Sequence, residues 1–236
     1  MGHQMSTDTG GTSQQARRRR GRPPRYPLPK PEDRAATILD AALAEFAKRG
    51  YTATGMNDIA RVCRMTKPTI YECFPSKIEL FSALIDREQT ALISMLRQTY
   101  QDTADLGLWE KVRVDTAAFV HWVCENPDAF ALLYLMPSPK TGLTQRAEMQ
   151  AQVAAALVDS MEKLLAKHGR TGGPSLTTLA FMATSSALGA VLASKHLLPE
   201  HAEAVIDLAA GFIAAAFRDV PTDVMTAFDE VSATVS

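Results

Sequence analysis

Cysteine is scarce in this 236-residue sequence: Cys63, Cys73 and Cys124 are the only three. An odd count without an export signal argues against a disulfide framework and for a cytoplasmic setting. The arginine run Arg17 to Arg20 is followed by prolines rather than by an apolar segment, so neither a secretory nor a twin-arginine signal is expected. Long apolar runs are missing too. Ser, Lys, Asp or His interrupts each stretch before about 18 residues, and no membrane span is expected. No segment alternates apolar and polar residues with the period of a strand. Phosphate-cradling glycine loops, catalytic serine elbows and paired carboxylates are likewise missing. His121 and Cys124 stand three residues apart, and His196 and His201 flank Glu200, but neither set offers enough ligands for a metal. The reading is therefore not an enzyme, with no metal and no cofactor; a helical enzyme or a scaffold protein is the disfavoured alternative.

What is present is charge segregated along the chain. The net charge is −1, yet residues 1 to 77 hold fourteen Lys and Arg against seven Asp and Glu, while residues 78 to 236 hold eleven against nineteen. A basic head gathers polyanions such as nucleic acid and an acidic body is repelled by them, so the split orients the molecule on a phosphate backbone. A basic tail serving only solubility is the plainer alternative.

Three regions follow. Residues 1 to 31 combine polar residues, the arginines and five prolines, too little apolar surface to pack, and are expected to form a disordered basic arm. Residues 32 to 76 begin with a helical pattern in which Ile38, Ala42 and Phe46 recur at i, i+4 and i+8. Gly50, after Lys48 and Arg49, stands where a C-terminal glycine cap belongs. Two short helices are expected at about 56–62 and 67–74, separated by a tight turn. Residues 77 to 236 open with a long helix, because Ser76 and Glu79 form a capping-box pair leading into a run towards Gln101. Further helices are expected at 107–125, 127–136, 143–168, 175–197 and 199–218. Pro127 and Pro199 are expected in first turns and 169–174 as a loop.

The pattern Ile38-Leu39-Asp40-Ala41-Ala42, Phe46, Gly50-Tyr51, Thr54, Ile59-Ala60, Thr66, Ile70-Tyr71, Phe74, Ser76-Lys77 and Leu80-Phe81 resembles the TetR family over about residues 34 to 85. The resemblance implies an all-α fold. An N-terminal three-helix DNA-binding domain with a helix-turn-helix would join, through a long fourth helix, a C-terminal helical ligand-binding and dimerisation domain. It implies a sequence-specific transcriptional regulator, a repressor released from a palindromic double-stranded operator by a small-molecule effector. Ile59, Ala60, Ile70 and Phe74 lock the short helices together. The second of these would enter the major groove with Thr66, Lys67, Pro68 and Thr69 towards the bases. Thr54, Tyr71 and Lys77 would meet phosphates, Tyr71 also being readable as a half-buried packing residue.

Departures from the family pattern concern the turn. Cys63-Arg64-Met65 stands where Ala-Gly-Val is usual, so Arg64, also assigned to the DNA face, would be strained if its position needs a positive φ. Cys73 and Pro75 flank Phe74 and alter the local surface. In the arm, Arg20-Gly21-Arg22-Pro23 looks like the core of an AT-hook, whose arginines enter the minor groove, unless the arm is a nonspecific basic tail.

The resemblance implies that the body pairs with a second copy through two helices rich in small residues, from Ala180 to Ala190 and from Ala209 to Ala216, unless these serve internal packing. Trp109, Trp122, Phe130, Tyr134, Met136, Met149, Phe181 and Met182 are the candidate lining of an effector cavity. A redox sensor on the same scaffold is the alternative, with Cys63 or Cys73 activated by Arg61, Arg64 and Lys67.

Overall fold

The computed structural model describes residues 30–137, 142–167 and 172–235. The arm, with Arg20 and Arg22, lies outside the described residues. Among those described, the chain is helical with no strand, as the periodicity requires. Helix α1 (Pro31–Ala53) is followed by α2 (Met56–Val62), α3 (Lys67–Cys73) and α4 (Lys77–Asp102). These are followed by α5 (Leu108–Glu125), α6 (Pro127–Phe130), a π-turn (Ala131–Leu135) and α7 (Gly142–Lys167). After them come α8 (Pro174–Ser194), a 3-10 turn (Lys195–Leu197), α9 (Ala202–Asp219) and α10 (Thr222–Val235).

Each break has a local cause. Gly50 takes φ 78°, a conformation that interrupts α1 and that glycine adopts without a Cβ clash. The Thr54 hydroxyl faces the carbonyls of Gly50 and Glu45 at 2.9 and 3.1 Å and closes the kink. Ser76 caps α4, its Oγ accepting from the Glu79 amide at 3.2 Å. The other half of the expected box differs: the Glu79 carboxylate accepts from the Ser76 hydroxyl rather than from its backbone. Pro127 occupies the first turn of α6 as expected, whereas Pro199 does not, because α9 starts only at Ala202.

The head core unites α1 to α4. Ile38, Ala42, Phe46, Ile59, Ile70 and Leu80 are buried, and the rings of Phe46, Tyr51 and Phe81 meet with centroids 4.8 to 5.8 Å apart. Helix α4 then runs about 39 Å at 1.5 Å per residue into the body, where Leu92, Leu96 and Tyr100 are buried. Body and head also meet where α6 and the π-turn pack on α1. One expected helix, 127–136, is thus two elements, and the π-turn is held by Met136 donating to the Ala131 carbonyl at 2.8 Å.

Two features go beyond the sequence reading. Helix α10 has no counterpart in the sequence reading, although Val224, Phe228 and Val231 keep helical spacing. The segment Pro174–Leu197 is long and apolar enough to cross a membrane by length and composition, a test that the core helix of a soluble protein also passes. One face of α8 packs on α7 and α9, and Phe181, Met182 and Leu192 on the rest are exposed.

Candidate nucleic-acid interface and the cavity of the body

Helix α3 is clamped by its inner face and open on the other. Ile70 is 0% exposed and Phe74 is buried, while Thr66, Lys67, Pro68 and Tyr71 face out. Thr66 is the N-cap: its Oγ1 accepts from the Thr69 amide and lies 2.8 Å from the Thr69 hydroxyl. Pro68 sits in the first turn, where no intrahelical donor is lost. Lys67 Nζ lies 5.6 Å from the Tyr71 ring, and Lys77 Nζ lies 4.2 Å from the Tyr51 ring and donates to the Thr52 carbonyl. Burial lowers the Lys77 pKa from its ordinary value.

Two residues expected to face DNA, Thr54 and Thr69, are buried. Thr54 is 1% exposed, with its hydroxyl turned to backbone carbonyls, so it braces the Gly50 kink instead of facing a phosphate. The amide of Gly55 at the start of α2 donates to the Asp58 carboxylate at 3.0 Å, so the helix already holds its own anion. That bond first, and then Arg49 at 3.0 Å, hold the Asp58 carboxyl below the usual range. Thr69 is also largely buried, and what it offers the outer face is the hydroxyl pair with Thr66.

The turn between α2 and α3 carries the predicted irregularity: Arg64 has φ 56°. A non-glycine residue there costs about 1 to 3 kcal/mol. Arg64→Gly is expected to raise stability by about 0.5 to 1 kcal/mol, since glycine relieves the strain but gains freedom in the unfolded chain. Urea denaturation checks this; an unchanged or lower midpoint would mean the turn is relaxed with arginine in place.

The thiols give no support to the redox reading. Cys63 is half-buried, its Sγ lies 3.7 Å from the Ala60 carbonyl, and burial pushes its pKa up, opposite to the effect expected of Arg61, Arg64 and Lys67. Burial and the neighbouring Glu125 also raise that of Cys124.

In the body, α4, α5, α7, α8 and α9 line a cavity of about 50 Å³. Of the expected lining only Tyr134 is there. Trp109, Phe181 and Met182 are exposed, Phe130, Met136 and Met149 are buried elsewhere in the core, and Trp122 stacks behind Phe119 at 6.4 Å. Aromatic and methionine content signals burial without saying which side of a helix faces a void. The walls include Leu96, Val112, Phe119, Leu157, Ile213 and Phe217, with Asp115, Thr116, Gln150 and Thr184 as polar groups.

Asp115 belongs to a buried network the sequence reading missed. Lys111 is 0% exposed and donates to Asp115 Oδ2 at 2.8 Å and to Thr103 Oγ1 at 2.9 Å, and the Thr103 hydroxyl lies 2.6 Å from Asp115 Oδ1. Burial pushes the Asp115 carboxyl up, and Lys111 and Thr103 oppose that rise. Tyr100 and Tyr134, also on the cavity, have hydroxyls pushed well above the usual range, in each case chiefly by burial. A Lys and an Asp four apart within the apolar face of α5 was the legible sign.

Residues 38–84 match the family model described as bacterial regulatory proteins, tetR family. The chain is 33% identical over 107 residues to the HTH-type transcriptional activator FasR of Mycolicibacterium smegmatis, a match over 45% of this chain and 48% of that protein. The chain therefore spans about half of that relative's length. Its fold is that of FadR from Bacillus subtilis, solved in complex with stearoyl-CoA (TM-score 0.65, 14% identity, covering 77% of this chain and 98% of that one). It also resembles SmeT in its triclosan complex (TM-score 0.54, 23% identity, covering 77% and 90%). The head is thus similar to the tetR family of bacterial regulatory proteins over residues 38–84, and the helical architecture of head and body is shared with these solved structures.

Proposed function

We propose that the protein is a homodimeric, cytoplasmic repressor that binds a palindromic double-stranded operator and is released from it by a small apolar molecule held in the body. The observation that carries DNA binding is the outer face of α3, where Thr66, Lys67, Pro68 and Tyr71 are exposed above the buried Ile70. Lys67 would read a base edge or a phosphate, and Tyr71 and Lys77 would position the head on the backbone. Arg64 and, from the arm, Arg20 and Arg22 would add positive charge at the same DNA. Selection of bound fragments from genomic DNA, followed by fluorescence anisotropy with the operator so obtained, tests this. Lys67→Ala is expected to change sequence preference or to cost about 1 to 3 kcal/mol, whereas Tyr71→Phe and Lys77→Ala weaken all sequences alike. Unchanged binding by all three would remove the assignment.

Support for the dimer comes from α8 and α9, which pack together and leave Met182, Leu208 and Phe212 59%, 74% and 67% exposed. A patch of that kind marks an interaction surface, and two-fold pairing sets two reading heads on one site. The small residues divide between roles: Ala180, Ala183, Ala187, Ala209, Ala210 and Ala214 are buried within the chain, while Ser185 and Gly189 face out.

Release follows from linkage: a ligand must favour the dimer that cannot hold DNA. The cavity, at about 50 Å³, lies far below the roughly 300 to 1,000 Å³ of a drug-sized site. A ligand of that size would have to part the helices around it, α4 among them. FadR, solved with stearoyl-CoA, and SmeT, solved with triclosan, support a ligand-binding reading for this fold.

A further inference from the structure

We infer that the body cavity selects neutral, mainly apolar molecules bearing one hydrogen-bond donor, of the phenol or alcohol class, and that Asp115 is the group that receives the donor. This rests on the reading of the cavity as the effector site and adds the chemical class of its occupant.

Among the described residues that line the cavity, chiefly aliphatic and aromatic, Asp115 is the only carboxylate. A carboxylate has about four acceptor sites. Thr103 and Lys111 take two, at 2.6 and 2.8 Å, so Asp115 has acceptor capacity left for the cavity it lines. Lys111 offers nothing in return. It does not line the cavity, it is fully buried, and its ammonium protons are directed at Asp115, at the Thr103 hydroxyl and, more distantly at 3.5 Å, at the Tyr100 carbonyl.

The pair therefore presents an acceptor while its net charge is zero. An anion entering the cavity would lose its water, find no available cation and lie against Asp115. A cation would be desolvated against a carboxylate already balanced by Lys111. A neutral hydroxyl loses little solvation and gains a bond to a charged acceptor, the stronger kind. Thr116, Gln150 and Thr184 do not supply an alternative charge, and the Gln150 amide already donates to Thr184 at 2.6 Å. Thr103 is also the residue that closes α4, its amide bonded to Thr99 and Gln101. A donor arriving at Asp115 thus shares the carboxylate that also holds Thr103 at the body end of α4.

The test is calorimetric titration of the full-length protein, without DNA, using four ligands on one frame: 4-butylphenol, 4-butylanisole, 4-butylbenzoate and 4-butylphenyltrimethylammonium. The phenol is expected to bind at least about tenfold more tightly than each of the others, the loss expected when one hydrogen bond to a charged group is removed. In Lys111→Met/Asp115→Leu, which removes both charges together, phenol and anisole should bind within about threefold of each other. The class assignment is overturned if the benzoate or the ammonium compound matches the phenol in the unmodified protein, or if none of the four binds. Persistence of the phenol preference in the double variant overturns the role of Asp115, and the series on the unmodified protein is decisive even if that variant fails to fold. Selective phenol binding that leaves operator affinity unchanged would uphold the site while removing the regulatory reading beneath it.

Discussion

Replacing Lys111 by methionine is expected to lower the stability of the body by about 3 to 5 kcal/mol, the usual cost of stranding one member of a buried ion pair. The side chain is 0% exposed and its ammonium is the direct counter-charge to Asp115 at 2.8 Å. Without it the carboxylate keeps the Thr103 hydroxyl but no cation. Burial already raises the Asp115 pKa, and loss of Lys111 removes the main opposing influence. A carboxyl whose folded pKa lies above its unfolded one contributes stability below the unfolded value that is lost as pH rises through the folded value. The deficit of Lys111→Met should therefore be largest near neutral pH and shrink towards about pH 4. Urea denaturation across that range measures it. Lys111→Met/Asp115→Leu should regain most of the loss, because replacing both charges by apolar groups is often neutral or favourable. A deficit independent of pH would point to lost packing by the lysine stem and not to a stranded charge.

The second large effect concerns the outward face of α8 and α9. Leu208→Glu/Phe212→Glu is expected to yield a monomer by light scattering and to weaken operator binding at least about a hundredfold, because each head then meets its half-site without the gain of linked binding. Both side chains are mostly solvent-exposed in the single chain, 74% and 67%, so the fold of the monomer itself should be retained, as far-UV circular dichroism would show. A persistent dimer, or a monomer with undiminished affinity, would remove this face from the assembly. The pairing of variant and readout matters because many of the small residues on these helices are buried inside the chain, and substituting them would unfold it.

Much of the head was legible because its residues act locally. Gly50 announces a backbone that side chains resist, Thr66 and Ser76 announce helix starts by the amides they cap, and Arg64 announces strain by filling a place where glycine is usual. Thr54 was misjudged since its spacing suits a helix start equally well whether its hydroxyl turns to a phosphate or back to Gly50. That choice is made by the kink, a tertiary feature. In the body, periodicity marked the helices and their buried faces, but a cavity is defined by what several helices together fail to fill. Tyr134 was found and Phe119, Leu157, Ile213 and Phe217 were not. Helix α10 escaped because its apolar stripe, Val224, Phe228 and Val231, is largely exposed in the single chain and its attachment is polar: Asp229 accepts from the amide and hydroxyl of Ser175 at the start of α8.

The π-turn between head and body is spare length. Five residues are wound more widely there than in an α-helix, and a wide coil advances less per residue than a narrow one. Its far end is anchored, since Arg146 of α7 donates to the carbonyls of Leu133 and Met136. The turn as a whole lies against α1, and Tyr134 within it reaches the cavity. Through Tyr134 on one side and α1 on the other, any change in the shape of this turn bears on the cavity and on the head at once.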